Sequence, residues 1–115
     1  MLLPVSGAFH SSLMAPAAAG MQPLIDRTPI CPARVPLVGN VDAHLLTEPE
    51  HLRRELVEHI CASVRWVDVV GTFVQRDVAA VYEVGPGKVL AGLIGRCAPD
   101  LRVITAERLL AEQGS

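Results

Sequence analysis

His10 stands in the stretch Val5-Ser6-Gly7-Ala8-Phe9-His10-Ser11-Ser12-Leu13-Met14, between a turn and the start of a helix. A side chain there can project into a cleft, and an imidazole so placed suits a general base for a hydroxyl nucleophile. The alternative is an ordinary loop histidine beside serines. No G-x-S-x-G elbow occurs in the sequence, and Ser6, Ser11, Ser12, Ser63 and Ser115 lack that context. A base without its nucleophile is half a catalytic site.

Two other groupings invite chemistry and fail on spacing. Gly85-Pro86-Gly87-Lys88 resembles a phosphate loop, but that loop needs four residues between its glycines and Ser or Thr after the lysine. Here a single proline separates the glycines and Val89 follows Lys88, so a tight strand-to-helix turn is expected. His44, His51 and His59, with Asp42 and Glu50, match no zinc or di-iron spacing, and no metal site is expected.

The elements that must position these residues follow from periodicity and turn chemistry. Leu2 to Ser12 reads as a short extended run ending in a Gly-containing turn. From Ser12 to about Asp26, helical spacing puts Leu13, Ala17, Met21 and Leu24 or Ile25 on one face; Pro16 belongs in a first turn and Pro23 argues for an early end. Three prolines between Thr28 and Pro36 make a surface loop, and Leu37 to Val41 a short strand. Thr47 to Ser63 reads as a helix, with Thr47 and Glu50 at capping-box spacing and Pro49 in the first turn. Leu52, Leu56, Val57, Ile60 and Val64 form its buried stripe; Arg53, Arg54, Glu55 and Glu58 form a solvated face.

A second short helix is expected from Trp66 to Arg76, with Val69, Val70 and Phe73 inward. Val78 to Val84 reads as a strand buried on both faces, followed by the Gly85-Pro86-Gly87 turn and a helix from Lys88 to about Cys97. Ala91, Gly92 and Gly95 would let that helix approach the sheet closely. Leu101 to Thr105 is a last strand and Ala106 to Glu112 a terminal helical turn or two. Helix and strand alternate without a hairpin signal, which predicts an α/β class with short parallel strands and flanking helices. Three short strands are thin for that class, which points to an incomplete fold.

Composition narrows the function classes. The 115 residues are half hydrophobic with a mean hydropathy of +0.37, which suits one folded domain or a piece of one rather than a disordered chain. Ten Lys and Arg against twelve Asp and Glu give a net charge of −2 with no basic stripe, so nucleic acid is disfavoured as a partner. Phe9, Trp66, Phe73 and Tyr82 are too few to build a stacking platform. Cys31, Cys61 and Cys97 are widely spaced and odd in number, which argues against a disulfide framework and for a reducing, cytoplasmic setting. Neither a signal peptide nor an apolar run long enough to span a membrane is visible.

Four stretches carry a family resemblance: Ser6-Gly7-Ala8-Phe9-His10-Ser11 with Leu13-Met14, Val38-Gly39-Asn40-Val41-Asp42, Val64-Arg65-Trp66, and Tyr82-Glu83-Val84-Gly85-Pro86-Gly87-Lys88-Val89-Leu90. In this order and approximate spacing they resemble the C-terminal portion of the malonyl-CoA–acyl carrier protein transacylases, acyltransferases of fatty acid synthesis. The resemblance covers essentially residues 1–115. It implies part of an α/β-hydrolase-like core of the acyltransferase fold, to which a missing N-terminal part would add the serine elbow, an oxyanion-hole glutamine and a carboxylate-binding arginine. A piece of a polyketide acyltransferase domain, and a non-catalytic remnant that binds a partner chain, are the alternatives.

Carried over by position, the resemblance implies that His10 is the catalytic base. It implies that a main-chain carbonyl, at His59 by counting back from Trp66, orients the imidazole in place of a carboxylate. This position is more often a glutamine, and Ala62-Ser63 departs from the usual residue–proline pair. Phe9 matches the malonyl-preferring pattern, since its bulk crowds an extra methyl, a discrimination of about 1–3 kcal/mol. Asn40, at a strand end, either lines the cleft or caps the strand. The implied partners are malonyl-CoA, as substrate, and acyl carrier protein; no metal or organic cofactor is implied.

Overall fold

A computed structural model describes residues 7–113, and the start of the expected extended run, residues 2–6, lies outside them. The chain divides into two compact units, Met1–Val69 and Val70–Ser115.

In the first unit a turn of 3-10 helix (Ser12–Met14) leads into α1 (Ala15–Arg27). Pro16 sits in the first turn, where its missing N–H costs nothing. Pro23 lies inside the helix without ending it: α1 runs on to Arg27, where Thr28 Oγ1 donates to Leu24 O at 2.6 Å. The buried residues are Ala18 and Ile25, whereas Leu13 is 76% exposed and Met21 and Leu24 also face solvent. Ile25, one of the two expected alternatives, is buried, but Ala18 replaces Ala17 beside it, so the rest of the buried face is turned from the expected one where α1 packs against helix α2 (Pro49–Glu58).

The loop through Pro36 leads to β1 (Leu37–Val38), which pairs antiparallel with β2 (Leu45–Leu46) in the register Leu37↔Leu46 and Val38↔Leu45. This hairpin departs from the expected purely parallel pairing. No tight-turn dipeptide announces it, because residues 39–44 close it through scattered contacts. Gly39 N–H donates to His44 O, Ala43 N–H donates to Gly39 O, and Asp42 Oδ1 accepts the His44 N–H. Ala43 takes a left-handed φ of 59° there.

Helix α2 is shorter than Thr47 to Ser63 at both ends. Glu48 is its N-cap without a side-chain bond, and Thr47 Oγ1 turns to the Glu48 carboxylate at 3.4 Å, so the capping box does not form. At the far end Cys61 and Ala62 N–H both donate to Glu58 O, which tightens the chain into a turn after Glu58. Helix α3 (Trp66–Gln75) follows, with Val69 and Val70 buried as expected.

The second unit is built on β3 (Ala80–Glu83) and β4 (Arg102–Thr105), parallel and in register from Ala80↔Arg102 to Glu83↔Thr105. Helices α4 (Val89–Cys97) and α5 (Ala106–Gln113) follow their respective strands, an α/β arrangement. Among its described residues, Val70, Ile94 and Ile104 are the buried apolar ones. Strand β3 is not buried on both faces, since Tyr82 is exposed and the adjoining Val84 is 88% exposed. Gly92 and Gly95 have open space where a Cβ would lie, so the expected close approach of α4 to the sheet is absent at both. The turn between them needs its glycines: Gly85 and Gly87 adopt φ of 135° and 85°.

Candidate active site

The turn at residues 7–11 holds His10 in a left-handed conformation, with φ of 58°. A non-glycine residue there is uncommon and strained, and such residues concentrate at functional sites. Local bonds fix the turn: Ser11 Oγ donates to Ala8 O at 2.6 Å, and Met14 N–H to Ser11 O at 3.0 Å as the helix starts. The His10 side chain is exposed.

Its Nδ1 lies 2.7 Å from the carbonyl oxygen of His59. A carbonyl can only accept, so Nδ1 carries the proton and the neutral ring keeps its lone pair on Nε2. The early end of α2 makes this acceptor available. His59 is the helix C-cap, and the last carbonyls of a helix have no partner within it. Had the helix run to Ser63, a following N–H would have taken the His59 carbonyl. His59 itself is anchored one turn back, with its N–H (3.1 Å) and its Nδ1–H (2.7 Å) both donated to Glu55 O. The two imidazoles stand 6.1 Å apart, tilted by 47°.

Asn40 lies in the turn two residues past β1, not at a strand end as expected, and is tied on both sides through its backbone. Its N–H donates to Glu55 Oε1 at 2.6 Å, and its carbonyl accepts the Arg65 N–H at 2.9 Å. With Glu55, His59 and apolar side chains of β1 and α2, it lines an open cleft of about 540 Å³. The structure thus joins His10 to His59 directly and links Asn40 to the same helix end through Glu55. Phe9 stands apart from that cleft: it is 64% exposed, and its ring folds back over Gly7.

Glu55 is the residue the sequence pattern missed. Periodicity assigns it to the solvated face with Arg53, yet it is only 8% exposed. Arg53 is also engaged, donating to the carbonyls of Ile25, Asp26 and Thr28 at the end of α1. His44 sits beside Asp42 at 3.4 Å. Among the described residues no group of three or more His, Cys, Asp or Glu could hold a metal ion, and no helix is long and apolar enough to cross a membrane.

No protein-family model matches the chain. Among curated proteins it is 37% identical over 102 residues to the malonyl CoA-acyl carrier protein transacylase of Bacillus subtilis (strain 168), covering 89% of this chain and 32% of the relative. The transacylase of the same name from Synechocystis is 37% identical over 101 residues, covering 88% of this chain and 34% of the relative. Among solved structures, the acyl-carrier-protein S-malonyltransferase of Burkholderia pseudomallei superposes with a TM-score of 0.87 at 31% identity, over 100% of this chain and 38% of that one. A malonyl-transacylase solved in complex with a type II polyketide acyl carrier protein superposes with a TM-score of 0.86 at 30% identity, over 98% of this chain and 38% of that one. The chain spans about a third of the length of the curated relatives it matches. In sequence and in fold, it resembles the malonyl CoA-acyl carrier protein transacylases across that third.

Proposed function

We propose that this chain supplies the general base of a malonyl transfer from CoA to the phosphopantetheine thiol of acyl carrier protein. The observation that carries the reading is the 2.7 Å bond from His10 Nδ1 to the His59 carbonyl, which leaves Nε2 free to take a proton. The likeness to transacylases over 89% of the chain supports the choice of reaction. The serine nucleophile comes from outside these 115 residues, since no G-x-S-x-G occurs among them.

In this reading His10 Nε2 removes the hydroxyl proton as the serine oxygen attacks the malonyl thioester carbonyl. The carbon–sulfur bond breaks, and the departing CoA sulfur takes the proton back from Nε2. The carrier-protein thiol then gives its proton to Nε2 as its sulfur attacks the malonyl ester, and the serine oxygen recovers that proton on leaving. Each half-reaction passes through an imidazolium, which the carbonyl end of α2 stabilises through the helix dipole. Phe9, the residue before the base, matches the family pattern that favours malonyl over a branched acyl group, and Asn40 lines the cleft beside His59. The steps need neither a metal nor a bound organic cofactor.

The test is reconstitution. Incubated alone with radiolabelled malonyl-CoA, the chain acquires no stable acyl group. Supplied with the serine-bearing N-terminal part of a transacylase, it restores transfer to acyl carrier protein, and His10→Ala removes most of that transfer. A serine ester on the isolated chain would overturn the assignment of the nucleophile. Equal transfer by His10→Ala would leave the chain a structural complement that binds its partner without catalysing.

A further inference from the structure

We propose that Glu55 is a positioning residue, whose buried carboxylate holds the end of α2 in the place from which the His59 carbonyl meets His10. The importance of that alignment rests on the reading of His10 as a base, but the alignment itself is a property of the chain alone.

A carboxylate seldom sits in a protein interior unless it is bonded there, because desolvation of the charge is costly. Glu55 is 8% exposed, and its carboxylate accepts the Asn40 N–H at 2.6 Å. This is short for an N–H donor, as a charged acceptor makes it. The backbone opposite is shaped to admit it: a Cβ on Gly39 would lie 2.9 Å from Glu55 Oε2, 3.2 Å from Leu46 Cδ1 and 3.3 Å from Asp42 Oδ1. Any side chain at residue 39 would collide with the carboxylate.

The same residue acts through its main chain at the other end. Glu55 O accepts both the N–H and the Nδ1–H of His59, so His59 is suspended from Glu55. The path has three links: the Gly39–Asn40 turn grips the Glu55 carboxylate, the Glu55 carbonyl grips His59, and the His59 carbonyl grips His10 Nδ1. Without the first link the last turn of α2 loses its buried side-chain tie to the Gly39–Asn40 turn and keeps helix bonds and the exposed Arg54 ion pairs, at the end of a ten-residue helix.

The test reads the final link by NMR on the full 115-residue chain, following the His10 Nδ1–H resonance and the tautomer from imidazole nitrogen shifts. The parent protein is expected to show His10 as the Nδ1–H tautomer, its proton protected from exchange by the bond to His59 O. Glu55→Gln keeps an oxygen acceptor of the same shape and preserves both signals. Glu55→Leu removes the acceptor, and Nδ1–H exchange accelerates at least about tenfold while the amide signals of residues 80–105 stay dispersed. Should Glu55→Leu fail to fold, Gly39→Ala displaces the carboxylate without removing it and gives the same acceleration. Parent-like exchange in whichever of these two variants stays folded would overturn the proposal. Neither acyl donor nor acceptor is present, so a failure of the transacylase reading leaves this result untouched.

Discussion

His10 and His59, forty-nine positions apart in sequence, meet through a side-chain nitrogen and a main-chain oxygen 2.7 Å apart. A carbonyl and a carboxylate both select the Nδ1–H tautomer of an imidazole, but they differ in what a mutation can remove. A carboxylate is deleted by one substitution, whereas a carbonyl survives every change of side chain. The identity of residue 59 is therefore loosely constrained by this contact, provided the backbone keeps its course.

That reasoning gives the first prediction. His59→Gln retains the His10 Nδ1–H tautomer and leaves malonyl transfer in the reconstituted enzyme within about threefold, against the roughly 10²–10⁴-fold expected for loss of a general base in His10→Ala. The Gln side chain can still donate to Glu55 O. Comparing kcat/KM for the two variants checks it; a loss in His59→Gln as deep as in His10→Ala would assign the His59 ring itself a part in catalysis.

The φ of 58° at His10 supplies the second. The ring is exposed, so truncating it sacrifices little packing and the backbone term dominates. A left-handed L-residue costs about 1–2 kcal/mol that glycine does not incur, offset in part by the greater freedom of glycine in the unfolded chain. His10→Gly is thus more stable than His10→Ala by about 1 kcal/mol. Urea midpoints of the two variants measure the difference, and a more stable alanine variant would rule out strain at this turn.

Some of this was legible in the sequence because it is local. Pro49 opens α2, and Gly85 and Gly87 make the turn that the tight Gly-Pro-Gly spacing demands. The parallel β3–α4–β4 order follows from two apolar runs flanking a helical stretch. Glu55 and Glu58 illustrate where local pattern ends. Both lie on α2 among charged neighbours, yet Glu55 is buried by a turn fifteen residues earlier in the chain while Glu58 stays in solvent. The β1–β2 hairpin was hidden for a related reason, since its strands are two residues each and its turn is closed by an Asp side chain and a left-handed alanine. The rotated face of α1 is set by where α2 packs, which helical periodicity does not contain.

Glu83 gives the third prediction. It ends β3, and both its oxygens accept backbone N–H groups of α4, Leu90 to Oε1 and Ala91 to Oε2, each at 3.0 Å. Lys88, the formal N-cap, makes no side-chain bond, so this carboxylate satisfies donors that the helix start leaves open. It also lies at the positive end of the helix dipole. Glu83→Ala should cost about 1–2 kcal/mol, and Glu83→Gln, with one oxygen, less than that. Denaturant unfolding of the two variants tests the order; equal stability of alanine and parent would show that water caps α4 as well as the carboxylate does.

Arg53 carries the last. Periodicity placed it in solvent, but its guanidinium closes the C-terminus of α1 by donating to Ile25 O, to Asp26 O at 3.4 Å and to Thr28 O at 2.8 Å. Three carbonyls converge there because the chain turns extended at Thr28 and Pro29 has no N–H to continue the ladder to Ile25 O. The planar fork of arginine reaches several acceptors at once, whereas an ammonium on a flexible stem serves as a point charge. Arg53→Lys should therefore recover only part of the stability lost in Arg53→Met, whose full cost is about 1–3 kcal/mol. Methionine keeps most of the apolar stem, so the comparison isolates the hydrogen bonds from packing. Hydrogen exchange at Thr28, whose N–H bonds Leu24 O and Ile25 O, reports the same event locally. It should accelerate in Arg53→Met while exchange in β3 and β4 is unchanged, and uniform acceleration across both units would mean that Arg53 supports global rather than local stability.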